Sequence, residues 1–233
     1  MTQLFPEFDT LVVFDTETTG FNPKYEEIIE IGAIRLRREG ADFVPDQELS
    51  CLIQLPAGRC VPEKIVELTG ITQDMLDHEG IGRYEAAQKL HDLLSGEKVL
   101  CAAYNAQFDL NFVYYFLARF GCADCLKGLR FFDALTVYRD RRPYPHRLCN
   151  AIDAYQLGDN AVNSHRAVDD AKATLLLMQA MAAEHDDLSC YVNLFGYHPK
   201  YGVSGQKISS IQYLPQSLYE HPPLYQMAVQ QQV

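Results

Sequence analysis

The N-terminal part of the chain is built from short apolar runs separated by polar turns, a pattern that is typical of β-strands. Candidate strands occupy residues 11–14, which are apolar and partly β-branched, and residues 28–37 and 47–55. Only short loops separate these runs, whereas parallel pairing needs a connection of about a dozen or more residues. The pattern therefore predicts three consecutive antiparallel strands.

Helical spacing of apolar residues begins after the third strand. It predicts six helices, over residues 62–68, 72–78, 84–94, 108–120, 147–157 and 167–183. Two further short apolar runs, 98–104 and 129–132, predict buried strands between helices. Antiparallel strands continued by β-α units predict an α/β fold, with a mixed five-stranded sheet and flanking helices.

The composition changes after Asp187, which predicts a domain over residues 1–187 and a C-terminal extension over 188–233. The extension is rich in tyrosine, at positions 191, 197, 201, 213, 219 and 225. Its prolines favour short extended pieces over a long helix. Because exposed aromatic patches often mark interfaces, we expect the extension to dock on a partner protein or on another copy of the chain.

The overall composition is that of an ordinary globular protein, with 48% hydrophobic and 22% charged residues. No long apolar run predicts a membrane span, and the first ten residues lack the pattern of a signal peptide, so we expect a cytoplasmic protein. Seven cysteines scattered through predicted elements suggest reduced thiols. Cys122 and Cys125 lack the second ligand pair of a zinc site, which favours packing roles.

The net charge of -11 argues against a protein that spreads lysine and arginine along a duplex. The net charge is weaker evidence against a site that binds only a strand end, because bound metal cations can then supply the positive charge that attracts the phosphate. One segment, residues 138–147, is rich in arginine, with Arg139, Arg141, Arg142 and Arg147 against Asp140. It predicts either a phosphate-binding patch or a solvated loop.

Asp15 and Glu17 lie two residues apart at the end of the first predicted strand, so both side chains point to the same face. Carboxylate oxygens are the ligands that Mg²⁺ and Mn²⁺ prefer. A solvated surface pair is the alternative, but the apolar residues 12–14 predict a strand buried on both faces, where paired acids need a partner.

Further candidates stand at the starts of two predicted helices. Asp109 directly follows Phe108, where a helix N-terminus favours a carboxylate with or without a ligand. His165 and Asp170 are five residues apart, about 140° of helical rotation, so we expect His165 on the preceding loop and Asp170 in the first turns. The spacing does not decide between Asp169 and Asp170. Histidine exchanges a proton near neutral pH, which suits a general base.

Three segments, FDTETTG (14–20), YNAQFD (104–109) and HRAVDD (165–170), resemble the three motifs of the DEDDh exonuclease superfamily. This superfamily includes the epsilon subunit of DNA polymerase III and ribonuclease T. The resemblance covers residues 8–185 and implies a ribonuclease-H-like fold and two Mg²⁺ or Mn²⁺ ions. It assigns metal binding to Asp15, Glu17, Asp109 and Asp170, selects Asp170 over Asp169, and makes His165 the general base.

The same resemblance implies a pocket for the terminal nucleotide, formed by Thr18, Thr19, Phe21, Asn105 and Phe108, although Phe108 could equally be a core residue. The expected activity is a metal-dependent 3′→5′ exonuclease that releases nucleoside monophosphates from single-stranded or frayed DNA ends in proofreading or repair. An RNA-trimming exoribonuclease and a non-catalytic binding module on the same fold are the alternatives. With this activity, the partner expected for the extension 188–233 is a DNA polymerase or a clamp, or another copy of the chain.

Overall fold

A computed structural model describes residues 4–158, 161, 164–196, 211–216 and 220–231. Five strands form one sheet in the spatial order β3-β2-β1-β4-β5: β1 (Thr10–Thr18), β2 (Ile28–Glu39), β3 (Asp42–Leu52), β4 (Val99–Ala103) and β5 (Arg130–Asp133). β2 is antiparallel to β1 and β3, while β4 is parallel to β1 and β5. The predicted mixed α/β sheet is confirmed.

Helices cover both faces of this sheet: α1 (Glu63–Thr69), α2 (Gln73–Glu79), α3 (Arg83–Leu94), α4 (Ala106–Arg119), α5 (Ala134–Arg141), α6 (Leu148–Ala154) and α7 (Ala167–Glu184). Side chains alternate along β1, so Leu11 and Val13 join the cluster formed with α7. Val12 and Phe14 join the cluster formed with α3 and α4. β1 is therefore buried on both faces, as its continuous apolar run predicts.

Two elements of the domain differ from the expectation. Residues 134–141 form α5, a helix that the sequence did not predict, because it follows β5 without a loop and contains the β-branched Thr136 and Val137. The Asp133 carboxylate caps it by accepting from the Leu135 amide. β3 begins at Asp42, earlier than expected, because it is an edge strand whose first residues are largely exposed and carry no apolar alternation.

The start of α7 packs directly on β2 at Gly32. A Cβ on this glycine would lie 2.0 Å from the Val168 nitrogen and 2.1 Å from the Ala167 carbonyl carbon. Gly32 is the register partner of Asp15 across β1 and β2. The missing side chain thus allows the helix that carries Asp170 to approach the strand that carries Asp15.

The described part of the C-terminal extension folds back onto the domain. It forms a short parallel pair, β6 (Leu194–Gly196) and β7 (Gln212–Leu214), and a short helix, α8 (Leu224–Gln230), which the sequence did not predict. Its apolar side chains at positions 188, 191, 194, 214 and 224 are buried in the same cluster as α7.

The tyrosines of the extension do not form the expected exposed patch within the described residues. Tyr191 is buried, and Tyr213 and Tyr225 are half-buried. Tyr197, Tyr201 and Tyr219 lie outside the described residues. Asp140 holds the extension, because its carboxylate accepts from the Tyr191 hydroxyl at 2.7 Å and from the Leu224 amide at 3.1 Å.

Among the described helices, none combines the length and the apolar character that crossing a membrane requires.

Candidate active site

The candidate site lies where β1 and β4 end. These strands are parallel neighbours, so their carboxyl ends meet at one edge of the sheet. β1 contributes Asp15 and Glu17, and the chain leaving β4 enters α4 through Asn105. Helix α7 reaches the same edge with its first turns. The fold thus assembles three distant segments at one place.

Asp15 and Glu17 point to the face of β1 that α7 covers, as alternation predicts. Glu17 lies directly opposite Glu30 of β2. The Glu30 carboxylate, only 1% exposed, accepts from Arg166 at 2.7 and 2.9 Å and from the Ala167 amide at 2.9 Å. Glu30 therefore caps the N-terminus of α7 and is itself neutralised by Arg166.

Asp109 reaches the site from α4 on the other face of the sheet. Its Oδ1 accepts from the Thr16 amide at 3.0 Å and from the Thr16 hydroxyl at 2.7 Å. Burial raises the pKa of Asp109 to about 7, although these two hydrogen bonds act in the opposite direction. Thr16 thus ties the acid on α4 to the strand between Asp15 and Glu17.

His165 lies just before α7, and Asp170 lies in its first turns. Together with Glu17 they present one ligand atom each, all within 4.8 Å of one another. Asp169 points elsewhere, since its Oδ2 accepts from the Ser164 hydroxyl at 2.7 Å. The structure therefore brings Asp170, rather than Asp169, to Glu17 and His165.

Burial and the neighbouring acids raise the pKa values of Asp15 and Glu17. Burial first, and then the charges of Asp109, Glu17 and Asp170, raise the pKa of Asp15 well above its usual value. Burial, followed by Asp170 and Glu30, raises the pKa of Glu17 to about 8. Carboxyls in this state ionise readily only when a positive charge joins them.

This donor set fits divalent cations. Carboxylate oxygens with one imidazole suit Mg²⁺ or Mn²⁺, whereas Zn²⁺ sites in proteins more often include thiolates or several imidazoles. Several carboxyl groups are crowded together here, and the charge of each opposes the ionisation of its neighbours. A bound cation would reduce this repulsion. Asp15, Glu17, Asp109 and Asp170 are the residues that could hold it, and His165 lies close enough to be either a ligand or a proton acceptor.

The residues expected to receive the terminal nucleotide lie at the end of β1, in the turn after it, and at the start of α4. Phe21 is 75% exposed, and its ring stands edge-on to the half-buried Phe108 at 6.4 Å. Phe108 also packs on Phe112 at 4.9 Å, so its ring contacts the core as well as Phe21. The buried Thr18 and Thr19 hydroxyls are engaged within their own turn, with the Gly20 carbonyl and the Glu26 carboxylate.

Asn105 adopts a left-handed backbone conformation with φ of 65°. The buried Asp133 carboxylate holds it there by accepting from the Asn105 amide at 2.9 Å and the Ala106 amide at 3.1 Å. His165 has the same unusual backbone, with φ of 55°. Such conformations cost free energy for a non-glycine residue and are often found at functional sites.

Several residues that shape the site were not predicted as such. Glu30, Arg166, Gly32, Thr16 and Asp133 position the acids. A signal was present for Glu30, a charged residue within the otherwise apolar run IIEIGAI. The others gave no signal, because their roles depend on neighbours remote in the sequence.

The arginine-rich segment is divided by the fold. Arg141 pairs with Glu184 and Asp187, and Arg142 pairs with Glu184. Of the two alternatives, a phosphate-binding patch and a solvated loop, neither describes Arg141 and Arg142, whose charges are neutralised by Glu184 and Asp187.

Comparison with known proteins agrees with this geometry. The model of the RNase_T exonuclease family matches residues 12–178. The chain belongs to the exonuclease family. This membership agrees with the DEDDh motifs and with the five-stranded sheet.

The relatives of this exonuclease domain include much longer proteins. DNA polymerase III PolC-type from Clostridium perfringens is 36% identical over 173 residues, which is 73% of this chain and 11% of that protein. The Thermotoga maritima protein of the same name is 32% identical over 167 residues, 71% of this chain and 11% of that protein. The chain thus spans about a tenth of the length of these relatives.

Solved structures share the fold of the exonuclease domain. E. coli exonuclease I in complex with a dA16 oligonucleotide aligns with a TM-score of 0.68 and 21% identity, covering 78% of this chain and 42% of that one. The zinc-bound complex of the same enzyme with single-stranded DNA gives a TM-score of 0.67 and 19% identity, over 78% and 42% of the two chains. At this identity the likeness concerns the fold.

Proposed function

We propose that the chain is a metal-dependent 3′→5′ exonuclease that hydrolyses the terminal phosphodiester bond of a DNA strand. The convergence of Glu17, His165 and Asp170 within 4.8 Å carries this proposal. Asp15 and Asp109 adjoin them, and the charge of Asp109 raises the pKa of Asp15. Membership of the exonuclease family supports phosphodiester hydrolysis as the reaction.

Asp15, Glu17, Asp109 and Asp170 would hold the metal ions. Two Mg²⁺ or Mn²⁺ ions, when bound, supply Lewis-acid stabilisation of the charge that develops on the phosphate. Thr16 fixes the Asp109 carboxylate, and the Glu30 cap fixes the start of α7, the helix that carries Asp170.

His165 has the role of general base in this proposal, accepting the proton of the water that attacks the phosphorus. Its place on the loop before α7 leaves the imidazole at the open end of the acid cluster, beside Glu17 and Asp170. General bases of this kind contribute about 10²–10⁴ in rate.

The 3′-terminal nucleotide is proposed to lie against Phe21 and Phe108, with Asn105 and the Thr18–Thr19 turn beside it. Phe21 leaves most of its ring free for a base. Stacking on an aromatic side chain accepts any base, which suits an exonuclease that removes nucleotides regardless of sequence.

DNA is proposed over RNA as the substrate, with proofreading or repair as the setting. The relatives named DNA polymerase III and the exonuclease I structures that contain DNA favour this choice. Association with a polymerase is proposed from the same relatives. The described tyrosines of the extension are buried or half-buried, so such a contact would involve other surfaces or the remaining tyrosines.

A time course on oligonucleotides labelled at the 3′ or the 5′ end tests the activity and its polarity. We expect stepwise release of mononucleotides from the 3′ end, and no release by Asp15→Ala under the same conditions. Activity retained in Asp15→Ala would overturn the site. Matched DNA and RNA strands test the substrate, and faster degradation of RNA would overturn the choice of DNA.

A further inference from the structure

Residues 142–147, which connect α5 to α6, lie beside the candidate active site and are called loop 142–147. The Tyr104 hydroxyl donates to the His146 carbonyl at 2.8 Å. Tyr104 directly precedes Asn105, where the chain enters the helix that carries Asp109. This hydrogen bond therefore fixes the loop to the start of α4.

The four arginines around this loop fall into two classes. Arg141 and Arg142 are neutralised by acids, as described above. Arg139 and Arg147 form no ion pair with a carboxylate among the residues that the structure describes. Two arginine charges, one in α5 and one at the end of the loop, are thus not paired with a carboxylate in the part of the chain that the structure describes.

Arg139 lies close to the residues that hold Asn105. Burial raises the pKa of Tyr104 and of Asp133, and the Arg139 guanidinium opposes both shifts. Asp133 is the acid that accepts from the Asn105 amide. Arg147 is exposed at the start of α6, next to His146. The Arg139 charge therefore acts on the start of α4, and Arg147 directly follows the residue whose carbonyl is bound by Tyr104.

Tyr144 gives the loop an aromatic surface. Its ring is 79% exposed and stands edge-on to the His146 ring at 5.9 Å. An exposed tyrosine between two arginines has the chemistry with which proteins hold single-stranded nucleic acid, since the ring stacks on bases and the guanidinium groups bind phosphates.

We propose that Arg139, Tyr144 and Arg147 bind the substrate strand upstream of its terminal nucleotide. The inference rests on the proposed function, because it assumes that a 3′ end occupies the acid cluster. In a chain of net charge -11, a phosphate-binding surface beside this cluster offsets the repulsion between the strand and the protein.

Binding of a 5′-fluorescein-labelled oligothymidylate of about 12 nucleotides, measured by fluorescence anisotropy in Ca²⁺, tests the proposal. A 3′-terminal phosphorothioate slows cleavage during the measurement. The variants are Arg139→Gln/Arg147→Gln and Tyr144→Ala. Arg130→Gln is the matched control. Arg130 is exposed at the amino end of β5, whereas the candidate site lies at the carboxyl ends of β1 and β4.

The double arginine variant should reduce the slope of log affinity against log salt by about 1.4, because each phosphate contact on a single strand contributes about 0.7. Tyr144→Ala should weaken binding about 5- to 150-fold, the range for one base stacked on an aromatic ring. Both losses should be larger for the 12-mer than for a dinucleotide. Arg130→Gln should match the wild type.

Wild-type affinity and salt slope in both loop variants would overturn the proposal, as would equal losses for the dinucleotide and the 12-mer. Thermal unfolding of each variant shows that the fold is intact. The proposed function has a separate test, the cleavage assay. It is overturned if the wild type releases no nucleotide with Mg²⁺ or Mn²⁺. The anisotropy measurement still tests the loop in that case, because it requires binding and not cleavage.

Discussion

Glu17 and Glu30 face each other across β1 and β2, and Arg166 neutralises Glu30. Like charges in directly opposite positions of a sheet destabilise it. The pairing of Glu30 with Arg166 and the Ala167 amide turns one of these acids into a helix cap. Glu17 joins His165 and Asp170. Of these two opposed acids, Glu30 thus stabilises the start of α7, and Glu17 belongs to the candidate active site.

Arg166→Gln should destabilise the protein by about 1–3 kcal/mol, because it leaves the buried Glu30 without its counter-charge. Lys172→Gln is the control, since Lys172 pairs with Glu48 and both side chains are about half exposed. Such a pair contributes about 0–1 kcal/mol. Urea denaturation measures both, and equal effects would contradict the role of Arg166.

The pH dependence of stability should reveal the raised pKa of Glu17, which is about 8 in the folded protein. An unfolded glutamate has a pKa of about 4.3, so the folded state binds the extra proton between these values. The contribution of Glu17 to the free energy of unfolding therefore falls as pH rises through this window, and the loss is complete above the folded pKa.

The matching measurement compares the wild type with Glu17→Gln by urea denaturation in EDTA at several pH values. The amide side chain of the variant cannot ionise, so the variant should gain stability relative to the wild type as pH rises. Added Mn²⁺ should reverse this order at high pH, because only the carboxylate gains from the cation. A difference between the two proteins that is independent of pH would contradict the prediction.

His165→Gln should lower kcat by about 10²–10⁴-fold if the imidazole is the general base. Affinity for Mn²⁺, measured by calorimetry, should stay close to that of the wild type. Asp170→Asn provides the comparison, because it removes a proposed ligand and should weaken Mn²⁺ binding. Equal weakening by the two substitutions would instead make His165 a ligand.

Gly32→Ala should destabilise the protein by about 1–3 kcal/mol or more. It should also reduce activity, because the new Cβ would overlap the backbone of Ala167 and Val168. Backbone atoms cannot swing aside as a flexible side chain can. Gly82→Ala is the control, since a Cβ there meets nothing within 4 Å. Thermal unfolding and a nuclease assay measure the effects, and a fully active, stable Gly32→Ala would refute the close approach.

Asp140→Ala should release the C-terminal extension, because this carboxylate accepts from the Tyr191 hydroxyl and the Leu224 amide. The expected loss is about 1–3 kcal/mol, with faster proteolysis after residue 188. Tyr191→Phe is the matched control, since it removes one of these hydrogen bonds and keeps the buried ring. Unchanged proteolysis of Asp140→Ala would show that apolar packing alone holds the extension.

The sequence by itself determined the sheet and much of the candidate site. Apolar runs predicted the three antiparallel strands and β4. For β1 and β4 the reason is burial on both faces, which requires continuous apolar residues. Strand alternation predicted that Asp15 and Glu17 share a face, and the five-residue spacing predicted His165 outside α7 and Asp170 within it. These are local properties, which spacing alone fixes.

Only the tertiary structure decided which charges are neutralised and which are free for a ligand. The sequence does not distinguish Glu17 from Glu30, or Arg139 from Arg141, because nothing in it shows which of these charges has a partner. In the fold, Arg166 forms an ion pair with Glu30, and Arg141 forms one with Asp187. It also brings Asp170 of α7 onto β1 by way of Gly32. Partners far apart in the sequence make these contacts, so no local pattern can predict them.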